Sequence, residues 1–245
     1  MSDSWADLRR TTPARIGLGR AGTGQPTAAV LAAGAAHAAA RHAVHLPLDV
    51  DRVVTGLAGL GLGEPRVVAS AAGDRTTYLT RPDLGRVPAD DLAALRQDRP
   101  VEAADLVVVV ADGLSAEAVH AHAVPLLTAL LPLLDAATTV APPVVATQAR
   151  VALGDHVGQA LGARLVLVLI GERPGLSSAD SLGAYLTWDP KPGVLDSARN
   201  CVSNIRPPHG LDHHTAARTI AALVAGARAL GATGVRLKAG APELG

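Results

Sequence analysis

The chain has 245 residues, 49% hydrophobic and 18% charged, with 22 basic and 22 acidic side chains and a formal net charge of +0. That length and apolarity suffice for a sizeable core, and a 2% aromatic content without any Phe leaves Ala, Val and Leu to build it. Zero net charge and almost no rings for base stacking argue against nucleic acid as a partner.

Residues 1–25 are polar and then Gly-rich, without the basic and apolar blocks of a signal peptide. Pro26 and Thr27 start an Ala-rich helix that continues to about Val44, and Pro47 ends it. Asp49 to Leu60 forms a second, shorter helix. Gly59 to Gly63 then closes a helical N-terminal arm over residues 1–63. From Arg66 the pattern alternates. A strand is expected at Val67 to Ala71, a helix at Ala89 to Arg96 and a buried strand at Leu106 to Ala111, followed by the loop Asp112 to Ser115. Ser115 and Glu117 suit a helix start, and that helix runs toward Leu134, bent at Pro125 and Pro132. A strand at Val144 to Thr147, a helix at Ala152 to Leu161 and strands at Arg164 to Ile170 and Tyr185 to Trp188 follow. Residues 189–211 read as a long connection, after which Asp212 caps a helix to about Leu230. Alternating strands and helices give an α/β fold: a Rossmann-like, mostly parallel sheet over residues 64–245, with helices on both faces.

The single cysteine, Cys201, has no internal disulfide partner and fits a reducing compartment. Apolar runs such as Leu165 to Ile170 fall far short of the ~20 residues of a membrane span. A soluble, cytoplasmic protein with no membrane partner is expected.

The most informative stretch is Val166 to Ser178. A buried strand stops at Gly171, Glu172 and Arg173 follow at once, and Pro174-Gly175 turns the chain. Loops at the carboxyl ends of such strands are where open α/β sheets bind ligands. Asp112 stands in the same position after its own strand, either at that edge or simply capping the next helix. Gly17-Leu-Gly-Arg-Ala-Gly22 matches G-x-G-x-x-G, which would suit a nicotinamide-dependent oxidoreductase. The residues before it, Arg9 to Arg15, are no central strand, so a flexible or interface loop is the expectation. His42, His45, His120 and His122 read as solvated helix residues and not as metal ligands, with His120 and His122 pointing to different sides of one helix. Ser177 and Ser178 lack a G-x-S-x-G elbow and read as turn hydroxyls.

Five segments in order, Thr12 to Gly22, Val109 to Ala116, Gln148 to Asp155, Ile170 to Gly183 and Arg199 to Pro207, resemble the small (light) subunit of ethanolamine ammonia-lyase. Gly171-Glu-Arg-Pro-Gly-Leu-Ser-Ser178 and Arg199-Asn-Cys-Val-Ser-Asn-Ile-Arg-Pro207 are the most specific, and Glu64 to Pro100 resembles the family least. The resemblance implies an adenosylcobalamin-dependent radical lyase that converts ethanolamine to acetaldehyde and ammonia. It implies a large subunit that binds the ethanolamine and a small one that closes over the cobalamin, assembled as a hetero-oligomer, within a bacterial microcompartment. Carried over by motif, the cofactor contacts are Val151, Glu172 and Cys201, with no catalytic residue and no metal ligand on this chain. Val151 offers apolar surface, Glu172 accepts hydrogen bonds from corrin amides, and Cys201 allows close approach. Arg150 and Arg173 are placed to meet amides or the nucleotide tail. Asp212-His-His-Thr-Ala-Ala217 misses the D-x-H-x-x-G of many cobalamin mutases at its last position, so the cofactor is expected to keep its own benzimidazole base. The rival non-enzymatic reading is a microcompartment adaptor.

Overall fold

Apolar runs as long as Leu106–Ala111 and Leu165–Gly171 fit strands buried on both faces, and both are fully buried. The computed structural model describes residues 5–96 and 104–238. In chain order it holds α1 (Ala6–Thr11), α2 (Thr27–His45), α3 (Val50–Ala58), β1 (Arg66–Ala69), α4 (Arg75–Thr80), β2 (Leu106–Ala111) and α5 (Ala116–Leu130). Then come β3 (Val144–Thr147), α6 (Leu153–Leu161), β4 (Leu165–Gly171), β5 (Leu182–Trp188), β6 (Arg199–Ile205) and α7 (His213–Leu230). Asp49, Asp74, Ser115 and Asp212 each accept an amide hydrogen bond at the start of α3, α4, α5 and α7, the ordinary satisfaction of orphan helix amides.

The sheet runs β1-β3-β2-β4-β5-β6. The first four strands are parallel, whereas β5 runs antiparallel to both β4 and β6. The expected mostly parallel sheet is therefore a mixed one. The physical reason is length: residues 172–181 between β4 and β5 are too few for a crossover helix, so the chain doubles back. The expected connection 189–211 contains β6, an edge strand in which only Arg199, Val202 and Ile205 are buried. The expected helix Ala89 to Arg96 is a 3-10 segment at Leu92–Arg96. Helices α1 and α4 had no counterpart in the sequence reading, and α5 runs unbroken through Pro125 before a 3-10 turn at Leu131–Leu133.

Successive strand side chains point to opposite faces, which splits the core in two. Val108, Val110, Leu167 and Leu169 pack under α3, α5 and α7, with Leu57, Leu127 and Ile220 among their partners. Val107, Val109, Val166 and Val168 pack under α6, against Leu153 and Val157. Among the described residues one stretch, Ala116–Leu133, is long and apolar enough to cross a membrane; it is the core helix α5 with its extension. Helix α2 is different. Only Ala43 of it is buried, and Leu31 is 68% exposed.

On the α6 face, β6 is tied down by charge. Arg199 on β6 forms a fork with Asp155 on α6, Nη1 and Nη2 each donating to a carboxylate oxygen at 2.7 Å, and Nη1 also donates to Thr187 at 2.9 Å. Both side chains are almost wholly buried. Removing one partner from such a pair leaves a desolvated charge uncompensated. Arg199→Ala should therefore lower stability by about 3–5 kcal/mol in a denaturant titration, while a double change to Asp155→Leu with Arg199→Met should recover most of that loss.

Candidate functional site

Parallel register brings the carboxyl ends of β2, β3 and β4 to one edge, with Ala111 opposite both Ala146 and Ile170. The chain leaves β2 for α5 on one face and leaves β3 for α6 on the other. Diverging connections of this kind open a crevice between the strand tips. Two glycines shape it. A Cβ on Gly113 (φ +56°) would stand 2.2 Å from the Gly171 carbonyl oxygen, and one on Gly171 would stand 2.0 Å from that of Ser115. The close approach lets Leu114 N–H donate to the Gly171 carbonyl at 2.9 Å.

Asp112 does not cap α5; Ser115 does. Its buried carboxylate reaches sideways, accepting from the amides of Gln148 at 2.8 Å and Ala149 at 2.9 Å, with Arg75 Nη1 at 3.7 Å. Burial pushes this carboxyl upward from its ordinary pKa, and the two amides pull it back. Gln148 is held at φ 51°, and the loop so fixed presents Arg150 and Val151.

The resulting cavity of about 410 Å³ has Val151, Glu172, Arg150, Arg173 and Tyr185 in its wall. Glu172 is heavily engaged. Its Oε2 accepts from Ser181 Oγ at 2.5 Å and Asn204 N–H at 3.1 Å, and its Oε1 accepts from Ser203 Oγ at 2.5 Å. A Cβ on Gly183 would come within 2.9 Å of Oε1, so the glycine leaves room for the carboxylate. Cys201 is exposed on β6, opposite Tyr185 of β5. Local burial pushes its thiol upward although the residue as a whole faces solvent, while the hydrogen bond with the Tyr185 hydroxyl works the other way. Val151 and Glu172 thus share one wall; Cys201 is not part of it and is linked to it only through Tyr185.

The sequence reading missed Tyr78. It is fully buried on α4, donates its hydroxyl to the Ala149 carbonyl at 3.2 Å and lines the same cavity. A signal was available, because the chain has only two tyrosines and both face this space.

Other expectations fared differently. Gly17 to Gly22 follows α1 and not a strand, and the next helix begins only at Thr27, so no helix start stands close behind it for a pyrophosphate. Among the described residues no group of three His, Cys, Asp or Glu is placed to hold a metal ion. His120 and His122 do point apart, but neither is merely solvated. His120 Nε2 accepts from Asp49 N–H at 2.9 Å. His122 is buried, with Nδ1 3.2 Å from His213 Nε2 and Nε2 3.9 Å from Asp180.

The profile of the family described as "Ethanolamine ammonia-lyase light chain (EutC)" matches residues 2–238. The ethanolamine ammonia-lyase small subunit of Rhodococcus erythropolis is 52% identical over 236 residues, covering 96% of this chain and 90% of that one. Those of Azotobacter vinelandii (51% over 238 residues, 96% and 87% covered) and Bradyrhizobium diazoefficiens (53% over 237 residues, 95% and 89% covered) are similarly close.

Desolvation holds His122 and His213 below the usual imidazole pKa. The facing ring and Arg206 lower His122 further, and Asp180 opposes them. A folded-state value below the unfolded ~6.5 means the unfolded chain binds more protons in that interval, so stability is lost as pH falls below about 6.5. Between about pH 7.5 and 5.5 the urea midpoint should drop more for the native chain than for His122→Gln; equal drops would clear the pair of responsibility.

Proposed function

This chain belongs to the ethanolamine ammonia-lyase light-chain family, the small subunits of a carbon–nitrogen lyase, and from that premise we propose that it closes over adenosylcobalamin against a large subunit. In this reading the complex converts ethanolamine to acetaldehyde and ammonia, and the large subunit binds the substrate. The supporting observation is the cavity at the sheet's carboxyl edge, where Val151 and Glu172 share a wall with Tyr185, the residue that Cys201 pairs with on the next strand.

The residues fit a corrin edge. Val151 and the half-buried Tyr185 give apolar surface continuous with the core under α6. Three donors on Glu172 leave roughly one of a carboxylate's four lone-pair directions, enough for one amide of the ring's rim. The cavity, about 410 Å³, would take only part of so large a molecule, with the rest left to the partner. His213 is engaged with His122 and Asp212 caps α7, which supports a cofactor that retains its own benzimidazole. When bound, the cofactor supplies a cobalt–carbon bond whose homolysis starts the radical chemistry. The chain's own share is to hold, orient and exclude water, since a reactive intermediate survives only in a dry chamber. Exposed apolar side chains such as Leu31 on α2 and Leu176 in the β4–β5 loop support a partner surface. The same proposal includes a cytoplasmic site of action inside a bacterial microcompartment.

The test is to co-express the chain with its large subunit, add cobalamin and record the visible spectrum of the purified complex. Stoichiometric uptake is expected, with no deamination by this chain alone; a complex that takes up no cobalamin overturns the reading. Glu172→Ala should weaken cobalamin binding by about 1–3 kcal/mol. Thermal unfolding of the isolated variant would report separately the stability lost with Ser181, Ser203 and Asn204.

A further inference from the structure

Arg150 is a charge in the cavity wall that has no counter-ion among the described residues. Its guanidinium carbon lies 4.3 Å from the centre of the Tyr78 ring, and its Nη2 donates to the Tyr78 carbonyl at 3.3 Å. Its Nε is buried without a hydrogen-bond partner. Arg75 lies 4.8 Å from the same ring centre and its Nη2 is likewise buried without a hydrogen-bond partner, but its charge is answered. It stands 3.7 Å from Asp112 and donates to the carbonyls of Val44 at 2.6 Å and Gly113 at 2.8 Å. Glu172, in the same wall, gives its charge to two hydroxyls and an amide. Arg173 adds a second, exposed guanidinium. The cavity therefore carries an excess of unanswered positive charge on a side chain whose plane is already fixed. A guanidinium held flat presents a rigid fork that matches two oxygens of a phosphate, and less of its freedom is lost on binding. The amide rim of a corrin is uncharged and asks for no such partner. The nucleotide tail of cobalamin, in contrast, carries one phosphodiester.

We propose that Arg150, held against the Tyr78 ring, receives the phosphodiester of the cobalamin nucleotide tail. It thereby makes this subunit selective for the complete cofactor over its tail-less fragment. The proposal rests on the cobalamin reading above. Tyr78 is then a positioning residue, acting through the guanidinium it holds.

The experiment is equilibrium binding to the assembled two-subunit complex, comparing cyanocobalamin with dicyanocobinamide, which has the same ring and rim amides but no phosphodiester. Arg150→Gln should weaken cyanocobalamin about ten-fold or more, as expected for a lost charge-assisted pair, and leave dicyanocobinamide within about two-fold. Arg150→Lys keeps the charge without the fork and should fall between. If Arg150→Gln does not assemble, the lysine variant carries the same comparison. Equal losses for both ligands, or none for either, overturn the proposal while leaving the cobalamin reading in place. Native complex that binds neither ligand sinks that reading, and the proposal with it. Inorganic phosphate is the other arm: Arg150-dependent phosphate binding that does not compete with cyanocobalamin would assign the anion to a free phosphate and overturn the proposal.

Discussion

The buried carboxylate of Asp112 is the interaction on which the site depends. It lies at the tip of a strand with every side chain buried, where an unpaired charge would be costly. Two amides of the neighbouring loop, those of Gln148 and Ala149, make it tolerable. That same pairing fixes the loop in a conformation Gln148 would otherwise avoid, because φ near 51° is sterically unfavourable for a residue with a Cβ. Arg75 completes the arrangement and, by donating to Val44, ties the end of α2 to the strand tips. One desolvated group thus couples β2, the β3–α6 loop, α4 and the N-terminal arm.

The uneven covering of the sheet explains why the opening lies where it does. Among the described residues three helices press on one face, and α6 with the 3-10 segment Leu92–Arg96 presses on the other. Past α6 the sheet continues into β5 and β6, whose exposed side holds Tyr185, Cys201 and Ser203. The β4–β5 link is too short to supply a helix that would cover them. In its place the Asp155–Arg199 fork anchors β6 and Glu172 gathers the ends of β4, β5 and β6. Polar ties substitute for an apolar lid, and the surface between them stays open.

Much of this was legible in sequence where burial was complete. Strands Leu106–Ala111 and Val144–Thr147 were read with their observed bounds, since unbroken apolar runs admit few alternatives. The Asp212 cap was equally clear. What escaped was half-buried. Strand β6, Arg-Asn-Cys-Val-Ser-Asn-Ile, is mostly polar without strict alternation and pairs on one side only, so nothing local separates it from a loop. Helix α4 is six residues long, and its one buried ring, Tyr78, matters through contacts with residues more than seventy positions away. His122 looked solvated because its partner, His213, lies on another helix. The resemblance marked Val151, Glu172 and Cys201, but the three donors already on Glu172 come from chain segments that only folding assembles.

That last point changes what the carboxylate contributes. A glutamate free in a pocket would be available to a ligand with its full charge. Glu172 instead closes three strand ends, and what remains for a ligand is a single acceptor direction of fixed aim. Fixed groups lose little freedom on binding, so a weak but preset acceptor is well suited to reading one amide on a rigid ring. Arg150 shows the complementary case, a guanidinium held by the Tyr78 ring and carbonyl but without a counter-ion among the described residues. In the proposed site recognition is divided between a nearly saturated anion and a cation without a counter-ion among the described residues. Neither encloses a ligand, because both stand on the same open wall. An open wall of this kind is in keeping with the proposed partner, since the name small subunit, which the relatives carry, implies a large one.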